Sequence, residues 1–589
     1  IDNFSQLIDD QSWEEFMPKG VTKDVFKNFK KYYEPDVFRA AGKRIRVMAR
    51  AADNLSIEER IDRITTIFST FRNPDKETVL TPWRVVNMHM GDCLGGYVFF
   101  DEKMENTIEE PRFVNHGEVT DSVFAEDSKI LEINSKSGLY PLYMAYGIYR
   151  RILDAEYHQK DKTPSIEDQL KIWDKVIADN IFVICKTPMA KSITKRTLIG
   201  FREAKVNTRY FEDLVNQITH KQQNFLEKVK QGKRYWKSNN NDNMKFNAIV
   251  GNPPYQDTGG AGGNNDAPIF QHFCRIASKV TSGYASLVIP SRWFAAGREN
   301  LLGDFRKEML NSGKVQKLVV YSDSSKLFSN VEIKGGVCYY LENISHNDKC
   351  NYILHRDGEI QQSEISLNKF DILIREPKLS AIVEKVETVR KSNKLKTVDT
   401  IISSDTPFGI PSNPKDSKKT PFRVFSTSSN EHNTLLYHIE NNKRKIEYAS
   451  KKDITKNVKD VSKYKIFVPG GYGAGETFPH QILGVPEYAP TNSVCSQSYL
   501  YSAFETETEA KNFIKYIKTR FFRVLVSAIK ITQSAPSRVY KFVPLEILDN
   551  KSDIDWSKPI PEIDKQLYAK YGLTKEEIGF IESMIKPME

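Results

Sequence analysis

The sequence predicts an α/β protein: a doubly wound, Rossmann-like sheet, with a small helical domain before it and a mixed α+β domain after it. Three observations carry this. At 589 residues the chain is too long for one ordinary core, so two or three domains are expected. SKILEIN, residues 128–134, reads as a strand running into a glycine-bearing loop and then a helix, the way a doubly wound sheet approaches a nucleotide-like ligand. A second apolar strand, Ala248 to Val250, runs straight into Asn252, Pro253, Pro254 and Tyr255. The expected domains are 1–75, 76–344 and 345–589.

Residues 1–75 read as helices, with apolar residues at three and four spacing and Ser56 with Glu59 in a capping-box pattern. Lys43, Arg44, Arg46 and Arg50 fit a solvated helix face better than a phosphate site. Thr81 and Pro82 then open a helix, Thr81 as its cap and Pro82 at its first position. After the strand that ends at Asn134 comes the amphipathic helix IEDQLKIWDKVIAD. It is followed by a strand closing on Cys185 and Lys186, and a third strand with Glu212 and Asp213 at its mouth. Those two acids also suit a helix start, where the dipole favours them. Residues 238–243 form a polar linker into the strand at 248–250. The glycine-rich stretch beyond Tyr255 reads as a flap or an ordinary loop. A helix at 267–280, a strand at 283–294 and a strand, loop and strand over 314–343 complete the α/β part.

From about Ser345 turns and basic runs dominate, with Lys and Arg interleaved with Tyr and Phe, as phosphate contact and groove insertion require. A strand at 464–478 and one helix over 507–528 are expected there. Gly470 to Gly475 would let backbone approach a ligand closely, but no Lys-Ser or Lys-Thr follows to make a phosphate loop. The formal charge of +10 favours a polyanionic partner over an acidic protein. Six scattered cysteines without metal-ligand spacing describe reduced thiols and no metal site. No apolar run reaches the roughly 20 residues that cross a bilayer, so no membrane partner is expected and the location reads as cytoplasmic. The chain starts at Ile1 rather than Met, leaving room for an upstream nuclease or helicase region, or a separate restriction partner.

The chemistry concentrates at Asn252 to Tyr255. Two consecutive prolines forbid a helix and donate nothing, which frees the Pro253 carbonyl to face a ligand. With the Asn252 side-chain carbonyl it makes two fixed acceptors, enough to hold both protons of an exocyclic amine and aim its lone pair at an electrophile. Tyr255 adds a flat ring. A plain strand-to-loop turn is the bland alternative.

On NPPY, the preceding strand and the order of segments, the chain resembles the S-adenosylmethionine-dependent N6-adenine DNA methyltransferases of bacterial restriction-modification systems, in their gamma arrangement. The resemblance implies S-adenosyl-L-methionine as cofactor and double-stranded DNA as partner. It also implies a methyltransferase sheet over 76–344 and a target-recognition domain over 345–589. It gives Asn252, Pro253, Pro254 and Tyr255 the amine pocket and makes Phe328 the second aromatic face on a flipped base. Thr81, Pro82, Glu132, Asn134, Gly138, Glu212, Asp213 and Asn252 would shape the cofactor pocket. Lys136 stands where a glycine is usual, and Cys185 where the ribose-binding acid is usual. Cytosine as target, a protein-glutamine or ribosomal RNA methyltransferase, the modification part of a fused restriction enzyme, and a DNA-binding module with little activity are the rival readings.

Overall fold

The computed structural model describes residues 3–588 except 19, 72–79, 239–242, 257–266, 296–298, 330, 332, 334, 416–421, 442, 474–476 and 531–532. The glycine-rich stretch after Tyr255, the expected boundary at 75/76 and most of the 238–243 linker therefore lie outside the described residues.

Packing divides the chain into two compact units, Ile1–Trp293 with Arg298–Asp371, and Phe294–Gly297 with Ile372–Glu589. The first unit opens with helices α1 (Asp10–Phe16), α2 (Pro35–Ala51), α3 (Ile57–Ser69) and α4 (Trp83–Cys93). A hairpin of Gly96–Phe100 and Thr107–Val114 follows. Then come β1 (Ile130–Ile133), α5 (Leu139–Glu156), α6 (Ile166–Asp179), β2 (Ile181–Cys185), α7 (Pro188–Ile199), β3 (Asn207–Tyr210) and α8 (Leu214–His220). The unit continues with β4 (Phe246–Gly251), α9 (Phe270–Val280), β5 (Thr281–Pro290), α10 (Glu299–Asn311), β6 (Val315–Tyr321), β7 (Val337–Asn343), β8 (Cys350–Arg356) and β9 (Glu359–Ile365).

Among the described residues, nine strands form one mixed sheet in the order β9-β8-β6-β7-β5-β4-β1-β2-β3. The run β5, β4, β1, β2, β3 is parallel, and β7 lies antiparallel between β5 and β6. Central strands of a parallel sheet are covered on both faces and read as unbroken apolar runs. ILEI of β1 and IFVIC of β2 are buried at every position. From β1 the chain steps outward to β2 and β3, and later from β4 in the opposite direction to β5. The crevice at the C-terminal ends of β1 and β4 is thus the switch point, where open α/β sheets take ligands.

Two expected domain limits differ from this division. Ile57 and Ile61 of α3 are buried in the same core as Trp83, Tyr143 and Trp173, so these helices are not a separate body. The sheet also runs past residue 344 through β8 and β9. Helix α7 shows why the N-terminal helices belong to the sheet. Arg60 of α3 donates from Nη2 to the carbonyls of Arg196 and Thr197, both at 2.9 Å, satisfying the helix's last turn. At its other end Thr187 Oγ1 accepts from Ala190 N at 3.2 Å as the cap and donates its hydroxyl to Glu15 of α1.

The second unit contains α11 (Pro377–Ser392), β10 (Thr434–Glu440), β11 (Lys443–Ala449), β12 (Tyr464–Pro469), β13 (Glu487–Ala489), β14 (Ser493–Cys495) and β15 (Tyr499–Phe504). They form two small sheets, β11-β10-β14 and β13-β12-β15, over a core that includes Phe408, Phe467 and Tyr499. The helix expected over 507–528 is two helices, α12 (Glu507–Lys518) and α13 (Arg520–Ser527). Thr519 between them is extended, and its hydroxyl accepts from Phe522 N at 3.1 Å; a new N-cap ends one helix and starts the next.

Candidate functional site

Glu132 lies in register with Val250 across the β1–β4 pair, two residues before Asn252. Both strands therefore deliver their polar residues to one place, at the switch point. Gly251 sits between them at φ +144°, and a Cβ there would lie 3.2 Å from Glu132 Cγ, so only glycine lets the two strands' ends close up.

Asn252 is half-buried, and its Nδ2 donates to Thr81 Oγ1 at 3.1 Å. That bond fixes the amide orientation and turns Oδ1 the other way. Oδ1 is buried and finds no hydrogen-bond partner among the described residues. The Pro253 carbonyl likewise accepts no hydrogen bond among them. The Tyr255 carbonyl accepts from Ile269 N at 3.2 Å, while its buried phenol oxygen is unpartnered among the described residues. Thr81 is not the cap of α4. Pro82, extended at φ −61° and ψ 148°, takes that position, so the threonine hydroxyl one residue earlier is free to receive Asn252.

Glu132 is 6% exposed, and burial pushes its carboxyl up to about 8, against a smaller opposing pull from the Ser135 hydroxyl. Its Oε2, and Oδ1 of Asn134 two residues on, are buried without partners among the described residues. Asn134 itself is left-handed, at φ +73°. Gly138 opens α5 at φ +78°, with space for a Cβ closed off by Thr194 and Thr197 at 3.1–3.3 Å. Its N–H donates to Ser135 Oγ at 3.1 Å. Two orphaned acceptors at a tight turn, Glu132 Oε2 and Asn134 Oδ1, are a cradle for a ligand rich in hydroxyl or amine donors.

A buried network missed in the sequence stands behind this cradle. His89 of α4 contacts Tyr140 OH through Nδ1 at 2.9 Å and Ser286 Oγ through Nε2 at 2.8 Å. Ser286 donates onward to the Tyr340 carbonyl at 2.8 Å. Its hydroxyl proton being used, Ser286 must accept from His89 Nε2–H, which leaves Nδ1 to accept from Tyr140. Burial pushes the imidazole down to about 3, so it stays neutral and keeps this tautomer. Tyr140 is close enough to Tyr255 and Glu132 for both to raise its phenol further. No sequence signal marks His89, which sits among apolar helix positions.

The remaining predicted residues sit elsewhere. Glu212 and Asp213 are exposed at the mouth of the edge strand β3, separated by β2 from the strand of Glu132. Asp213 is left-handed at φ +55° and accepts from Asn216 Nδ2 at 2.6 Å. No hydrogen bond among the described residues joins either acid to Glu132 or Asn252. Phe328 is a core residue: fully buried, its N–H donating to the Ser324 carbonyl at 2.8 Å, it offers no open face to a base. Beside Tyr255 the structure instead places Arg292, whose Nη2 reaches the Tyr255 carbonyl at 3.5 Å.

In the second unit many cations of the basic runs are paired. Arg423 meets Asp453 at 2.7 Å, Lys415 meets Glu447 at 2.9 Å, Arg444 meets Glu487 at 3.0 Å and Lys463 meets Glu505 at 3.0 Å. Lys443, Lys451, Lys452, Lys456 and Lys459 are exposed and form no ion pair among the described residues. In the 470–475 stretch, Gly470 N and Tyr472 N bond to the Ser498 and Gln533 carbonyls at 2.9 and 2.7 Å; Gly475 lies outside the described residues. Lys43, Arg44, Arg46 and Arg50 are exposed on α2.

Residues 179–328 match the Eco57I restriction-modification methylase family. The Eco57I-type segment runs from just before β2 to Phe328, taking in Asn252 to Tyr255, and over it the resemblance read from NPPY is borne out. An uncharacterized adenine-specific methylase of Mycoplasma pneumoniae is 30% identical over 133 residues, which is 22% of this chain. The match spans about a third, 31%, of that relative. Among solved structures, the type IIL restriction-modification enzyme MmeI in complex with DNA matches at 10% identity with a TM-score of 0.45, covering 78% of this chain and 73% of its own. The type IIG restriction endonuclease BpuSI matches at 11% identity and a TM-score of 0.34, covering 89% and 67%. No helix among the described residues is long and apolar enough to cross a membrane.

Proposed function

We propose that the chain is a site-specific DNA methyltransferase that transfers a methyl group to the N6 amine of adenine in duplex DNA, within a restriction-modification system. The observation that carries the reading is the fixed Asn252 amide. Its Nδ2 is committed to Thr81, and its Oδ1 and the Pro253 carbonyl are left as acceptors at the switch point of the sheet.

Two such acceptors take the two protons of a flipped base's amine, draw the nitrogen toward a pyramidal geometry and direct its lone pair away from them. Tyr255 stacks on the base. Pro254 keeps the turn rigid. No strong general base is required, because the proton can leave to water after the new bond has formed. Extruding the base from the duplex precedes this step, as for other chemistry on base atoms.

The cradle at β1 fits S-adenosyl-L-methionine. Orphaned acceptors on Glu132 and Asn134 meet hydroxyl and ammonium donors, and the left-handed Gly138 turn lets backbone come close. When bound, this cofactor supplies an electrophilic methyl group. Thr81 and Pro82 flank the pocket beside Asn252, and Glu212 and Asp213, exposed at the mouth of β3 across β2 from Glu132, are assigned to the adenine moiety of the cofactor by the family resemblance alone. The sheet is read accordingly as a Rossmann-like methyltransferase sheet, and the second unit as the DNA-reading part, its unpaired lysines facing phosphates.

The test is incubation with labelled S-adenosylmethionine and unmethylated plasmid, followed by base-resolved sequencing. Label at adenine in one recurring sequence is expected. Asn252→Ala should lower the methylation rate by about 100- to 1,000-fold, the effect of losing a preorganised hydrogen-bonding group, with DNA affinity unchanged. Full activity in that variant would refute the pocket assignment.

A further inference from the structure

Strand β2 ends without an acid: Cys185 and Lys186 stand where a carboxylate for ribose hydroxyls is expected, and Cys185 is fully buried. A carboxylate is nevertheless present at that strand's mouth, brought from the other end of the unit's sequence. Helix α1 is tied across the C-terminal ends of β2 and β3 by three bonds. Thr187 Oγ1 donates to Glu15 Oε2, Met189 N donates to Ser12 Oγ at 3.1 Å, and Tyr210 OH donates to Gln11 Oε1 at 2.6 Å. Glu15 is 5% exposed, and its second oxygen, Oε1, is buried with no partner among the described residues. Burial raises the Cys185 thiol, and the charges of Glu132 and Glu15 both add to the rise, which puts the two acids within electrostatic reach of one point at the sheet's C-terminal edge.

We propose that Glu15 supplies the carboxylate that holds the ribose hydroxyls of the cofactor, in place of the acid that β2 lacks. One oxygen is committed to Thr187, which fixes the carboxylate's position. The other is open, and a vicinal diol is the donor pair that a carboxylate at this place in a doubly wound sheet accepts. A purely structural use also exists, since an acid at the N-terminus of α7 suits the helix dipole. That use explains the Thr187 bond and leaves Oε1 unaccounted for.

The inference rests on the cofactor reading above, and titration calorimetry on the full chain separates the two. The ligands are S-adenosylhomocysteine and its 2′,3′-dideoxy analogue, each with the wild type and with Glu15→Gln. Removing either the hydroxyls or the charge is expected to weaken binding by about 10- to 100-fold, the range for a hydrogen bond to a charged group. The two changes together should weaken it no more than either alone. Equal binding of S-adenosylhomocysteine by Glu15→Gln and wild type overturns the proposal, and so do losses that multiply. The wild type is decisive even if the variant fails to fold, because undiminished binding of the dideoxy analogue shows that no carboxylate holds the diol. Absence of S-adenosylhomocysteine binding by the wild type would instead bring down the cofactor reading, and this inference with it.

Discussion

A carboxyl group pushed up to about 8 by burial is protonated at neutral pH, and Glu132 holds that proton inside the sheet. Its folded value lies above the usual 4.5, so the folded state binds the proton more tightly than the unfolded chain does. The stability linked to Glu132 is therefore fully present below about pH 4.5 and is lost as the pH rises through 8. Urea unfolding of wild type and Glu132→Gln at intervals from pH 5 to 8 should show the variant gaining on the wild type, by up to about 1.4 kcal/mol per pH unit. Parallel profiles would show that Glu132 ionises freely. Asn252 was legible in the sequence because it follows an apolar strand and opens the NPPY turn, whereas Glu132, inside the ILEI strand, was legible only through the family resemblance. Glu15 was not, because within SWEEF it reads as one more acid on a short amphipathic helix, and only its contact with Thr187 sets it apart. Phe328 stays open in the sequence, since an aromatic beside a loop suits a buried core at least as well as a stacking face, and only burial decides for the core.

At the level of elements, the site depends on α4, α5 and β5 keeping their register, and the His89 network joins all three. Ser286→Ala removes both its acceptor for His89 and its donor to Tyr340, leaving buried groups unsatisfied. A loss of about 1–3 kcal/mol in urea unfolding is expected. Unchanged stability would mean that water or a shifted tautomer replaces the hydroxyl. The strands themselves were readable, since a sheet covered on both faces writes itself as continuous apolar runs. Cap positions were less so. Thr-Pro before α4 has the composition of a cap, yet Pro82 takes that place because Thr81 is drawn to Asn252, a partner 171 residues away. Thr519 similarly divides what periodicity reads as one helix.

For the whole molecule, the excess of ten positive charges is a weaker guide to nucleic acid than it looks, because several of the most basic stretches are internally neutralised. The cations open to phosphate are fewer, and Lys451, Lys452, Lys456 and Lys459 form one such run. Changing these four to Gln should weaken DNA binding alike on all sequences and reduce the slope of log affinity against log salt by up to about 4. An unchanged slope in fluorescence anisotropy would place the phosphate contacts elsewhere. Domain count was set by length, but domain edges were not, since α3 gives its apolar face to the sheet's core and β8 and β9 extend the sheet past the expected limit. The clamp on α7 bears on how the molecule is made. Its two ends are secured by residues translated much earlier: Glu15 precedes Thr187 by 172 positions, and Arg60 precedes Thr197 by 137. At the usual pace of synthesis the N-terminal helices emerge on the order of 10 to 30 s before the helix they grip. Through that interval Glu15 and Arg60 stand in water, so segments made well before α7 settle only once it has followed them.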